Sequence, residues 1–139
     1  MGYGNTEVFL TPQQREMLIQ NSLGKTAEVV VDRPIGYVHL TKGITLCYPV
    51  NYGYIPGLMG GDGEDQDVYI LGVDVPLSRF TGRIIAVVRR RDDNEDKLVA
   101  APEGMAFTQL QISQAVHFAE QYFDSTIEVF QEVAYAESV

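Results

Sequence analysis

The chain has 139 residues, 45% of them hydrophobic, and carries 19 acidic against 10 basic side chains for a net charge of −9. That length suits one domain with a real core, so a single domain over residues 1–139 is expected. The negative field disfavours nucleic acid and anionic membrane as partners, and no apolar run is long enough to span a bilayer. Met1 to Glu7 lack the basic and apolar regions of a secretion signal, and the lone Cys47 has no intrachain disulfide partner. Both point to a cytoplasmic location.

Thr11-Pro12-Gln13-Gln14 combines a Thr N-cap, Pro at the first helical position and a Gln that closes a capping box. A helix to about Ser22, stopped at Gly24, follows within an N-terminal helical segment of residues 1–25. Ala27 to Asp32 predicts a strand ended by Arg33-Pro34, and Tyr37–Leu40 and Ile44–Cys47 predict short strands around Lys42-Gly43. Tyr48 to Gly57 is dense in turn formers and tyrosines. Asp67–Val73, Arg83–Arg89 and Leu98–Ala101 predict further strands, the first two rich in β-branched residues. A second capping box, Thr108 to Gln111, opens a helix to about Phe123, with Ile112, Ala115, Val116, Ala119 and Phe123 at helical spacing. Residues 124–139 are expected as a C-terminal tail. Five or so short strands with helices predict an α+β, mainly β, barrel, closed or half-closed, with helices packed outside.

The chemistry concentrates at Gly60 to Val68, where four carboxylates and three glycines occupy nine residues. Clustered carboxylates repel unless a positive group sits among them, and converging oxygens suit hard cations. An EF-hand loop starting at Asp62 would need Gly at its sixth position and an acid at its twelfth; Asp67 and Val73 stand there, so that reading fails. A solvated acidic turn is the plainer alternative. Against it stands a second acidic cluster between two strands, Asp92-Asp93-Asn94-Glu95-Asp96-Lys97, which together with the first favours a multi-metal phosphate site.

Tyr48-Pro49-Val50-Asn51-Tyr52-Gly53-Tyr54-Ile55, then Asp62-Gly63-Glu64-Asp65-Gln66-Asp67-Val68, resembles the core of the soluble, Mg²⁺-dependent inorganic pyrophosphatases. Asp96 to Pro102 and His117 to Tyr122 follow in the family's order. The resemblance implies a five-stranded, OB-like closed barrel with the site in its mouth, hydrolysing pyrophosphate with Mg²⁺, other divalent cations such as Mn²⁺ being admitted. It implies Asp62 and Asp67 as carboxylates bridging the metals, Glu64 as the group assisting the attacking water, and Glu95 and Asp32 as further metal ligands. Asp92, from the second cluster, joins the metal candidates. Lys97, Tyr52 and Tyr122 match phosphate-contacting positions, with Lys97 and Tyr52 placed among the catalytic residues alongside Glu64 and Asp67.

The chain also departs from the pattern. The segment from Pro34 to Tyr48 is short and lacks the family's Lys-Tyr-Glu triplet, and no arginine stands shortly before Tyr48-Pro49. Glu64, Asp65 and Gln66 differ from the usual loop residues, and Phe123 stands where a phosphate-binding lysine is common. Arg33, Lys42 and Arg89-Arg90-Arg91 are candidates to supply the missing cations, with Arg33 assigned to substrate. Two alternatives stay open: a related phosphohydrolase for another small phosphate, and a catalytically silent relative that binds metal or a partner. His39 is expected to be a hydrogen-bonded histidine at a strand end, and His117 to be structural or at a subunit contact; Cys47 is expected in the core. The resemblance also implies a homo-oligomer.

Overall fold

A computed structural model describes residues 10–131. In chain order it contains α1 (Pro12–Ser22), β1 (Thr26–Arg33), β2 (Val38–Thr41), β3 (Ile44–Cys47), β4 (Asn51–Met59), β5 (Asp65–Ile70), β6 (Arg79–Arg90), β7 (Lys97–Ala101), α2 (Gln109–Glu120) and β8 (Ser125–Val129). Both helices start on the expected capping boxes, with Thr11 and Thr108 accepting from the third helical N–H. Gly24 ends α1 in the left-handed region at φ 81°, and the Phe130 ring fills the space a Cβ would need there.

β1, β4, β5, β7 and β6 hydrogen-bond in that order, and β6 closes back onto β1, making a five-stranded barrel; β8 adds outside β6. Among the described residues only β5–β7 is a parallel pair. β2 and β3 form a separate hairpin outside the sheet. Two strands differ from expectation. The stretch dense in turn formers and tyrosines, for which no strand is expected, contains most of β4, because its residues pair with both β1 and β5. The tail expected from residue 124 begins with β8, whose pairing with β6 overrides a weak local signal; residues 132–139, including Tyr135, lie outside the described residues, as do residues 1–9.

Strand alternation divides the apolar residues into two cores. Val29, Val31, Val68, Ile70, Ile84, Val87, Leu98 and Ala100 fill the barrel, and Ile19 and Leu23 of α1 join them. Tyr52, Tyr69, Leu71, Ala86, Val88 and Val99 face outward and pack with Ile112 and Val116 of α2. Arg89 fastens α1 to the wall through Glu16, at 2.6 and 2.9 Å. Fully buried Asn51 ties three segments: its Oδ1 accepts from Ile35 and Leu77 N–H, both at 3.1 Å, and its Nδ2 donates to the Val75 carbonyl at 3.0 Å. Cys47, expected in the core, is exposed; the hairpin alternates, so Cys47 and its cross-strand partner Val38 both face outward.

Candidate active site

A cavity of about 620 Å³ lies between the barrel wall, the β2–β3 hairpin and the end of α2. The resemblance implied a site in the barrel mouth; the cavity sits on the outer wall. The reason is alternation: Asp67 and Tyr69 lie on the opposite face of β5 from the core residues Val68 and Ile70, as Lys97 and Val99 do from Leu98 and Ala100 on β7.

β1 contributes two consecutive side chains, Asp32 and Arg33. A strand would send them to opposite faces, but the β1–β4 register slips between Val31 and Arg33, and that bulge lets both line the cavity. The two acidic loops converge, which spacing alone left undetermined. Asn94 Nδ2 donates to the Gly61 carbonyl at 2.8 Å, and Gln66 Nε2 donates to the Asp96 carbonyl at 2.7 Å and to that of Asp67 at 3.0 Å. Gln66, a departure from the family's apolar residue, is thus a buried splint between the loops.

Asp32, Arg33, Tyr52, Asp67, Glu95, Lys97 and Tyr122 all line the cavity. Asp62, Glu64 and Asp92 do not. Asp62 Oδ1 accepts from the Glu64 N–H at 3.0 Å, closing an exposed turn, and Asp92 Oδ2 accepts from the Asp124 N–H at 3.2 Å. Asp62 and Asp67 therefore do not share the cavity as a bridging pair in this arrangement. Lys97 Nζ instead sits between Asp67 Oδ2, at 2.6 Å, and Glu95 Oε1, at 3.7 Å.

Burial and then the adjacent Asp67 charge push the Tyr52 phenol well above its ordinary value, so it is a neutral donor at physiological pH. Burial also raises the Asp32 carboxyl; its own backbone N–H and Arg33 oppose this, while Asp67 adds to it. Arg33 lies 5.5–5.8 Å from the ring centres of Tyr37, Tyr48 and Tyr52 and donates to the Tyr48 hydroxyl at 2.6 Å.

Among the described residues no three acidic, histidine or cysteine side chains form a metal cage. Mg²⁺ seldom needs one: it keeps several waters and is held by one or two carboxylates together with substrate phosphates. Asp32 and Asp67 are oxygen donors in one cavity, and the Asp67 carboxylate adds to the burial that disfavours the charged form of Asp32. That pair fits a hydrated cation delivered with a phosphate.

The arginine run separates into three fates. Arg89 pairs with Glu16 and Glu128, Arg91 is exposed beside Asp124, and only Arg90 reaches the cavity. Arg90 is held by Glu120 at 3.1 and 2.8 Å, and its guanidinium lies 3.7 Å from the centre of the Phe123 ring. Tyr69 donates to Glu120 at 2.6 Å. Sequence reasoning missed Glu120 as a support of the site. Its signal was present: Ile112, Val116 and residue 120 share one stripe of α2, and a carboxylate there must be buried and paired.

The closed barrel thus gathers carboxylates, cations and a neutral phenol around one cavity on its wall. The family model described as inorganic pyrophosphatase matches residues 17–137, and the chain belongs to that family. The inorganic pyrophosphatase of Xylella fastidiosa (strain 9a5c) is 28% identical over 109 residues, covering 70% of this chain and 58% of that protein. That of Gluconobacter oxydans is 24% identical over 131 residues, covering 81% and 76%. The chain thus spans less than two thirds of the Xylella protein's length. The solved inorganic pyrophosphatase of Ehrlichia chaffeensis superposes with a TM-score of 0.59 at 19% identity, covering 77% of this chain and 87% of that one. That of Helicobacter pylori gives 0.52 at 21% identity, covering 76% and 82%, and both likenesses concern the fold.

Proposed function

We propose that this chain hydrolyses inorganic pyrophosphate with Mg²⁺ as its divalent cation. The observation that carries the proposal is the convergence of Asp32, Asp67, Glu95, Lys97, Tyr52, Arg33 and Tyr122 from separate segments onto one cavity. A divalent cation held by Asp32 and Asp67 would offset phosphoryl charge and acidify water. The chain's own groups do the rest. Lys97 orients Asp67 through its 2.6 Å ion pair, and Tyr52, kept protonated, presents an O–H donor beside it. Arg33 presents a fixed guanidinium to the phosphate oxygens, and Tyr122 stands at the rim. Asp67, rather than Glu64, is the carboxylate positioned to orient the attacking water. Roles for Asp62, Glu64 and Asp92 would require the 60–64 turn and the 92–95 loop to approach the cavity.

The test is phosphate release from pyrophosphate with and without Mg²⁺. Release should require the cation and should fall at least about a hundredfold in Asp67→Asn, in keeping with the loss of a positioned charged group at a reaction centre. An unchanged rate in that variant would sink the assignment. No release at saturating Mg²⁺ or Mn²⁺ would sink the activity.

Location and assembly complete the proposal. Among the described residues no helix is long and apolar enough to cross a membrane, and the exposed Cys47 thiol is compatible with a reducing cytoplasm. A homo-oligomer is proposed from family resemblance, with sedimentation as its check.

A further inference from the structure

We infer that the same cavity takes a diphosphate carrying a planar organic group, of the nucleoside diphosphate class, in addition to the inorganic anion. The inference rests on the phosphate-binding role proposed above. Its first support is size: about 620 Å³ lies within the range of roughly 300–1,000 Å³ typical of sites for whole organic ligands.

The second support is the division of the lining. Arg33, Lys42, Arg90 and Lys97 supply positive charge, but Arg90 is committed to Glu120 and Lys97 to Asp67. Arg33 has the Tyr48 hydroxyl as its side-chain hydrogen-bond partner, and Lys42 makes no ion pair among the described residues. Those two cations suit the phosphate end of a ligand.

Beside the carboxylates Asp32, Asp67 and Glu95, which belong to the cation and phosphate end, part of the lining is apolar. Ile44 and Leu46, on the inward face of the β2–β3 hairpin, line the cavity together with Ala119, Tyr122 and Phe123. Water and a bare phosphate anion gain nothing from such a wall. Phe123 has Arg90 against one face at 3.7 Å yet remains 38% exposed, and Tyr122 is 49% exposed. Half-covered aromatic rings beside a cationic pocket are surfaces on which a base stacks without needing sequence-like readout.

Binding of adenosine diphosphate to the full chain with Mg²⁺, measured by calorimetry, set beside the KM for pyrophosphate turnover with Mg²⁺, tests this. Adenosine diphosphate should bind, and Phe123→Ala should weaken it about tenfold more than it raises the KM for pyrophosphate, the size of one lost stacking contact. Phe123→Tyr should restore most of the loss. Leu46→Ser, on a hairpin outside the barrel, provides a second variant with the same expected selectivity should Phe123→Ala fail to fold. Equal losses for both ligands would overturn the inference. So would pyrophosphate cleavage without adenosine diphosphate binding, which leaves the proposed function standing. Loss of both would overturn the proposed function as well.

Discussion

Replacing Glu120 with Leu probes the frame of the site. Glu120 and Arg90 are 6% and 7% exposed, and two hydrogen bonds of 2.8 and 3.1 Å join them. Removing one member of a buried pair strands the other charge and costs about 3–5 kcal/mol. The Tyr69 hydroxyl loses its acceptor as well, a further ~1–3 kcal/mol. Asp93, 3.5 Å from Arg90, takes up part of the orphaned charge, which places the net near the lower end, about 4 kcal/mol. At roughly 3 °C per kcal/mol for a chain of this size, the melting midpoint should fall by about 12 °C. With no tryptophan in the chain, circular dichroism in urea is the suitable assay. The decisive comparison adds Arg90→Met and the double variant Arg90→Met/Glu120→Leu. Because the double variant strands no charge, it should be less destabilised than the sum of the singles by at least ~2 kcal/mol. Additivity within about 0.5 kcal/mol would refute the pairing.

The same carboxylate sets a pH dependence. Burial alone would raise Glu120, but hydrogen bonds from Arg90, Ser125 and Tyr69 outweigh it and hold the group below its ordinary value of 4.5. A depressed carboxylate contributes stability that is fully present above that value and is lost as pH falls through the lower folded pKa. Urea midpoints of wild type and Glu120→Gln should therefore converge below about pH 4.5; divergence there would reverse the sign and the argument. Gly53→Ala should unfold the barrel locally, because its Cβ would be driven into the Val30 carbonyl oxygen across the β1–β4 pair. Overpacking against backbone costs about 3 kcal/mol or more, and a wild-type urea midpoint would contradict it. Pyrophosphate turnover should fall far less in Glu64→Gln than in Asp67→Asn, since only Asp67 lines the cavity; equal losses would bring Glu64 back to the reacting atoms.

Local signals made much of the architecture legible. Both helix starts were written in capping boxes whose hydrogen bonds depend on side chains three residues apart. The β-branched runs of β5 and β6 announced strands because such side chains fit a half-buried pleated surface. β4 and β8 were hidden because their stability comes from neighbours distant in sequence: Tyr54 pairs with Val30 and Asp67, and Val129 with Ala86.

The site divides along the same line. Sequence alone determined which residue types were available, an acid-rich pair of loops, flanking tyrosines and a lysine at the start of a strand, because motif order and spacing are local properties. Only the tertiary structure decided which of them meet. A β-bulge turned both Asp32 and Arg33 toward the cavity, the Gln66 splint joined the loops, and strand alternation placed Asp67 and Lys97 on the wall outside the barrel. An Asx turn kept Asp62 away from them. Convergence of charge is a matter of register and closure, and those are set by pairings across the whole sheet.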